Sequence, residues 1–555
     1  MARLATSSVA YLVGIQLFSR AVTFAANQIL LSHISPKELG IAAQLELYSI
    51  TVLYFSRESI RVAVQTNASS EYEATELHKK VEKSDSRRNS SRNSCQAVVN
   101  VSYVALILGL LLLQIFSILY TRSALEEVLR TSHFQASLTL IGVATALELF
   151  AEPCFAAVQY YMQLRSRAII ETSASFAKGV LSCGTVLFMR RMGSEVGPLA
   201  FAVGQVSYSI VIFCGYFAVA KGISIQHGLS LFPADISEST DSSFLFRFLS
   251  PTLLYRSANL FFQSVVKHIL TQGDSMILAA LSTLEDQGLF ALASNYGGLI
   301  ARIIFQPIEE SSRSIFGQRL PKNGEKTSLE DLAFAKRYLR DVLYAYSLLA
   351  VILWFIGPLL LPMVLELLLS HRWSSANVQG VLLTYCYYIP ILAFNGMTEA
   401  FVSSAATNSE LRVQAIWMAI CSFVFVLTAY VLLKMLALGV QGLVWANMVN
   451  MSLRIGWSLW FILKYFSKNK QDLRLREFFP RNETCAFAAA VFAWSNTFVK
   501  QGVAFTTKHF IKMFLVAAAI GSTILYLERY YLKQQMLNFW PGNLRSNRRT
   551  PPIKL

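Results

Sequence analysis

In this chain of 555 residues, 54% are hydrophobic, only 15% are charged, and mean hydropathy is +0.45. A soluble protein of this length would carry about 25% charged residues, so a soluble enzyme is excluded. The net charge of +16 would suggest nucleic acid in a soluble protein. Here apolar runs of spanning length recur from end to end, and the excess is read as topology-determining basic residues in cytosolic loops, with no nucleic-acid partner.

The expected fold class is an all-α polytopic membrane protein, because a backbone in lipid must satisfy its own hydrogen bonds. Fourteen spans are expected, over about 7–32, 38–56, 96–120, 134–161, 168–190, 198–220, 251–282, 287–308, 342–369, 379–402, 413–433, 438–463, 485–500 and 509–528. The first carries Arg20 and lacks a small-residue cleavage site, so it reads as a helix and not as a signal peptide. Three connections are long: 57–95, rich in Ser, Lys and Arg and expected to be mobile, 221–250, and 309–341. Ser250-Pro251 is a good start for the seventh helix. Gln306-Pro307 is expected to break the eighth. The expected organisation is an N-terminal six-helix lobe (1–220), a cytosolic linker (221–250), a C-terminal six-helix lobe (251–463), a cytosolic loop (464–484), helices 13 and 14 (485–528) and a basic cytosolic tail (529–555).

With the N-terminus in the cytosol, 33 of the 49 Lys and Arg fall in cytosolic loops and tails. That asymmetry predicts that both termini are cytosolic. The sequons at Asn67, Asn89 and Asn482 would then face the cytosol, unmodified.

The two halves repeat. Gln16, Arg20 and Asn27 recur as Gln263, Lys267 and Asp274 at a shift of 247. Gly40 and Tyr48 recur as Gly288 and Tyr296 at 248, and Glu58 and Arg61 as Glu310 and Arg313 at 252. Six helices return the chain to its starting side, so these are parallel repeats about an axis along the membrane normal.

Polar residues line one face of the first and seventh helices: Gln16, Arg20, Thr23 and Asn27, then Arg256, Asn259, Gln263, Lys267 and Asp274. The second stripe stays within roughly 80° and runs for about 27 Å, nearly the hydrocarbon thickness. Such faces avoid lipid. Either they pair with Glu46, Glu148, Glu152 or Glu399 to pin helices together, or they line a water-filled cavity; the two are compatible. Lys178, Arg302 and Arg454 add further embedded cations, a basic excess that suits an anionic ligand. Glu148 and Glu152, four apart before Pro153, could form a proton site, but salt-bridge partnership is the favoured reading.

No P-loop, HExxH, GxSxG or DxD motif occurs, and the seven cysteines are scattered and odd in number. The reading is therefore of a non-enzyme with no metal and no cofactor.

Ser56–Arg61 (SRESIR), Glu148–Pro153 (ELFAEP), Ala301–Ser311 (ARIIFQPIEES) and Asn395–Glu399 (NGMTE) resemble the eukaryotic Rft family throughout the chain. The family comprises endoplasmic reticulum proteins assigned to translocating dolichyl-diphosphate oligosaccharide for N-glycosylation. It is similar to MATE-type exporters and bacterial lipid-linked precursor flippases. The resemblance implies two six-helix lobes around a central cavity, two extra helices and alternating access. The substrate diphosphate would sit on Arg20, Lys267 and Arg302, supported by Arg256 or Arg454, with Gln16, Asn27, Gln263, Asp274, Glu148, Glu152 and Glu399 as polar or charge partners. Arg57, Glu58, Arg61, Glu309, Glu310 and Arg313 are either a cytosolic gate or surface anchors that snorkel. The expected partners are membrane lipid, the lipid-linked oligosaccharide and glycosylation-pathway proteins. Alternatives that stay open are an accessory of that pathway, an ion-coupled MATE-type exporter and, more distantly, a membrane glycosyltransferase.

Overall fold

The computed structural model describes residues 25–77, 84–124, 126–236, 248–249, 251–320, 328–369, 373, 376–499, 507–529, 531 and 533. Among the described residues there is helix and no strand. In chain order come α1 (25–33), α2 (Pro36–Leu77), α3 (Ser84–Ser123), α4 (Phe134–Phe150), α5 (Glu152–Tyr160), α6 (Leu164–Arg191), α7 (Leu199–His227), α8 (Pro251–Leu281) and α9 (Leu284–Ile300). They are followed by α10 (Gln306–Arg319), α11 (Leu329–Phe355), α12 (Gly357–Leu368), α13 (Ala376–Ala405), α14 (Asn408–Tyr430), α15 (Gly439–Lys468), α16 (Asn482–Val499) and α17 (Thr507–Leu527).

Eight of the described helical stretches are long and apolar enough to cross a membrane: Pro36–Val64, Arg92–Arg122, Phe134–Tyr160, Leu199–His227, Leu284–Arg319, Leu329–Phe355, Asn377–Ala405 and Ser409–Met435. Helices α6, α8 and α15 are long enough but less apolar, and they are the ones that carry Lys178, the Arg256–Asp274 stripe and Arg454. Apolar side chains cover the outward faces. On α14, Val413, Ile416, Ile420, Phe423 and Leu427 are all exposed at helical spacing, as a lipid-facing surface requires.

Sequence punctuation explains several boundaries. Pro251 opens α8. Pro307, with no N–H to give, stands in the first turn of α10. The turn before it, Ala301–Phe305, widens into a π-helix instead of breaking outright. Gly228 closes α7 at φ 64°. The expected loop 57–95 is different from its sequence reading: α2 runs on to Leu77 and α3 begins at Ser84. The stretch 57–77 contains neither Pro nor Gly, so nothing in it stops a helix that leaves the membrane. The described parts of the expected linker are tied down, with Asn100 Nδ2 donating to the carbonyls of Ala234 (2.7 Å) and Phe248 (2.8 Å).

The chain divides into two compact units, Met1–Ala291 with Ser370–Trp373, and Leu292–Leu369 with Ser374–Leu555. The repeat boundary at 221–250 is a feature of sequence; the division by contacts falls later because α8 packs along α2. In the first unit the repeat becomes visible as packing. A Cβ on Gly40 would stand 1.9 Å from the Leu284 carbonyl oxygen, and one on Gly288 would stand 1.8 Å from that of Pro36. Gly40 and Gly288 are repeat equivalents at a shift of 248, and so are Pro36 and Leu284. The crossing of α2 and α9 is thus reciprocal, and only glycine permits it at that separation.

The second unit is cored by packed aromatics: the Phe316 ring meets that of Phe401 edge-on at 5.0 Å, and Phe401 lies 5.5 Å from Phe466 in a tilted pair. Helices α16 and α17 dock onto α11 and α12 through Ile356, Leu359, Ala488, Ala517 and Ile524. A buried carboxylate locks them: Glu528 accepts from Tyr344 Oη (2.6 Å), Thr484 Oγ1 (2.7 Å) and the Arg481 backbone N–H (3.2 Å).

Candidate functional site

Each unit contains an ionic node built from helices two spans apart. In the first, α2 presents Arg57 and Arg61 one turn apart on the same face. Helix α4 ends, and α5 begins, with Glu148 and Glu152 facing them. Arg57 Nη1 donates to Glu152 Oε1 at 3.0 Å and Nη2 to Glu148 Oε2 at 3.4 Å. Arg61 Nε donates to Glu152 Oε2 at 3.0 Å, and its Nη2 closes the fork on Oε1. The Arg61 guanidinium also lies 4.0 Å from the centre of the Phe155 ring. From α7, Gln205 Nε2 (2.9 Å) and Ser209 Oγ (3.2 Å) complete the Glu148 carboxylate. The carboxylates are 4–5% exposed and the guanidiniums 19–24%, so this is a desolvated two-plus-two cluster with its lone pairs met.

In the second unit, Glu309 and Arg313 pair at 2.7 Å along one face of α10. Glu310 takes a 2.9 Å hydrogen bond from Gln306. Glu309 rests against the backbone of α13, where a Cβ on Gly396 would stand 2.7 Å from its Oε2. One turn along α13, Glu399 accepts both Nε (3.0 Å) and Nη2 (2.5 Å) of Arg454 from α15. The two nodes are repeat equivalents: Arg57, Glu148 and Gln205 correspond to Glu309, Glu399 and Arg454 at shifts of 252, 251 and 249. The carboxylate keeps its place, on α4 in one half and α13 in the other, while its cation comes from α2 in the first and α15 in the second.

Among the described residues, Glu148 and Glu152 pair with Arg57 and Arg61, and Glu399 pairs with Arg454. Glu46 pairs with Lys178 at 3.6 Å. Arg57 and Arg61 are not anchors at a helix end: α2 continues past them, and both are held inside the unit by the node. Arg454 is spent on Glu399 through two of its nitrogens. Gln16 and Arg20 lie outside the described residues, as do the side chains of Arg256, Gln263, Lys267 and Arg302. Asn27 and Asp274 are half-buried.

Sequence reasoning missed His268. It is fully buried on α8, with Nε2 3.1 Å from Thr51 Oγ1 and its ring 4.6 Å from that of Tyr54 and 5.0 Å from that of Phe55. With Ser257 and Ser264 it forms the face of α8 that packs on α2. The Arg256, Gln263 and Lys267 positions each precede one of these residues. The stripe therefore sits about 100° round the helix from the packed face. The available signal was the small, polar spacing Ser257–Ser264–His268, masked by the louder charges beside it.

Residues 5–538 match the Rft protein family. The chain belongs to the Rft family. Across 98% of both chains it is 31% identical to a Candida glabrata protein named Man(5)GlcNAc(2)-PP-dolichol translocation protein RFT1. Among solved structures, the Rft chain is similar to the lipid II flippase MurJ in an inward closed conformation, with a TM-score of 0.60 and 12% identity over 94% of this chain and 100% of that one. It is also similar to an inward-facing multidrug resistance MATE family transporter of the MOP superfamily, with a TM-score of 0.54 and 15% identity over 82% and 96% of the two chains. At these identities the likeness establishes the fold: this Rft protein is an all-helical membrane protein of MurJ and MATE architecture.

Proposed function

We propose that this Rft protein translocates a dolichyl-diphosphate-linked oligosaccharide of the Man(5)GlcNAc(2) class across the endoplasmic reticulum membrane, serving N-glycosylation without ATP hydrolysis. The observation that carries the reading is end-to-end similarity to a relative named for that translocation. In this reading the chain has fourteen spans with both termini cytosolic, two six-helix lobes over 1–220 and 251–463, and the pair α16–α17 as an appendage. The polar stripes of the first and seventh helices face a water-filled cavity. There Arg20, Lys267 and Arg302 hold the diphosphate, with Arg256 beside them, while the polyprenyl chain stays in lipid. Arg454 contributes through Glu399, since its fork is already engaged. Glu58, Glu310 and Arg313 gate the cytosolic side, while Arg57 and Arg61 contribute through the node they share with Glu152.

The test is reconstitution of the purified chain in vesicles with the dolichyl-diphosphate glycan. The outer-leaflet pool should become accessible to a soluble probe at a rate that Lys267→Ala abolishes without loss of protein. Vesicles in which wild type moves no lipid would reject the reading.

A further inference from the structure

The first unit holds a polar cavity of about 680 Å³ far from the ionic node. Lys37 on its rim and Arg57 in the node are twenty residues apart on α2, or about 30 Å along the axis, which is the hydrocarbon thickness. Three turns meet around the cavity: 32–38 ahead of and into α2, 130–132 before α4, and 190–196 after α6. The frame is built. Glu38 accepts from the Ser35 backbone N–H (2.7 Å) and hydroxyl (2.9 Å) through Oε2, and from the Gly197 N–H (2.9 Å) through Oε1, joining the first turn to the third. Gly197, at φ 53°, brings the second turn in, because a Cβ there would stand 2.6 Å from the Ser132 carbonyl oxygen.

The chemistry of the lining selects its ligand. Of the lining side chains only that of Val196 is apolar, so a lipid tail or an apolar drug has nothing to fill. A polyanion fits no better. Lys37 is paired with Glu127 at 2.5 Å and Arg130 with Glu126 at 2.9 Å. Arg190 and Glu195, of opposite charge, both line the cavity. Arg190 Nη1 lies 2.5 Å from His33 Nε2, and His33 Nδ1 lies 2.8 Å from the Ile29 carbonyl oxygen and 2.7 Å from Ser32 Oγ. What remains is a near-neutral wall of paired donors and acceptors, with Ser35, Thr131, Ser132 and Ser194 between the charges.

We infer that this cavity is a saccharide-binding vestibule, which takes the neutral, hydroxyl-rich glycan at the membrane face opposite the ionic node. It rests on the translocation reading for the side of the membrane and for the glycan class. The wall supplies both donors and acceptors, as sugar hydroxyls demand, and its framing turns are fixed before the ligand arrives.

The test uses the full chain in detergent and the free Man(5)GlcNAc(2) glycan, with neither lipid nor diphosphate, measured by titration calorimetry. Wild type should bind. Ser194→Trp, which fills the cavity from an exposed turn, and Glu195→Gln, which keeps shape but removes charge, should each weaken binding about tenfold or more. Inorganic pyrophosphate should not displace the glycan. No binding by wild type, wild-type affinity in both variants, or displacement by pyrophosphate (an anion site) would each overturn the inference. Vesicle transport separates it from the reading above. Glycan binding without transport removes the translocation role alone, and transport that survives loss of glycan binding removes the vestibule alone.

Discussion

Replace Gly288 by alanine. The new Cβ would arrive 1.8 Å from the Pro36 carbonyl oxygen, and ordinary contact begins near 3.4 Å. The two helices must therefore part by about 1.5 Å, because the obstacle is backbone and cannot rotate away. Overpacking of this kind costs about 1–3 kcal/mol or more, offset by up to about 1 kcal/mol from the better helix propensity of alanine. A net loss on the order of 1–2 kcal/mol should lower the thermal midpoint of the purified chain by several degrees. Gly40→Ala meets the Leu284 carbonyl oxygen at 1.9 Å and should lose a similar amount. The double variant is the sharper test. One separation of the helices relieves both clashes, so the double should lose clearly less than the sum of the singles. Midpoints unchanged in either single variant, or losses that simply add, would refute the reciprocal crossing.

Glu152→Gln leaves two partly buried guanidiniums facing an amide and should destabilise by about 3–5 kcal/mol, read as lost protein abundance; Arg61→Met with Glu152→Leu should recover most of it, and a stable but inactive Glu152→Gln would instead point to a substrate contact. Glu528→Ala removes the shared acceptor of three donors and should release α16 and α17, seen as new protease cleavage in 464–484; an unchanged digestion pattern would show that apolar contacts alone hold them. A tag at the C-terminus should be degraded when protease is added to sealed microsomes, and protection would sink the fourteen-span topology.

The membrane class, the helical fold and the repeat were legible because each rests on local chemistry: apolar length, proline and glycine positions, and polar residues recurring at fixed shifts. Pro307 is a good example, since its missing N–H dictates a disturbed turn just before it. The continuation of α2 beyond residue 56 was less legible. Polarity marks where a segment leaves lipid, not where its helix ends, and the two boundaries were treated as one. The partners of Glu148 and Glu152 lay beyond sequence reach for another reason. Helical periodicity assigns residues to faces, but which face meets which neighbour is set by packing between spans. Arg57 and Arg61 looked terminal only because the span seemed to stop before them. His268 shows the same limit, since the Ser257–Ser264–His268 spacing marks a face of α8 but not that Thr51, Tyr54 and Phe55 meet it.

The two nodes explain why the repeat is strong in some positions and inverted in others. A carboxylate desolvated in lipid needs a cation and enough donors, and the requirement falls on the whole cluster, not on any one helix. Glu148 and Glu399 meet it by different routes: the first with Arg57 from α2 and Gln205 from α7, the second with Arg454 from α15 while Glu309 occupies the position on α10 equivalent to Arg57. Glu309 would then be an extra negative charge, and Arg313, one turn away at 2.7 Å, balances it. Each node thus ends with two cations and two anions although the equivalent positions 57 and 309 carry opposite signs. A search for conserved charge at equivalent positions would miss the correspondence. A search for balanced charge around equivalent helix junctions finds it, and it predicts that a sign change at one corner of either node is tolerated only with a compensating change at another corner of the same node.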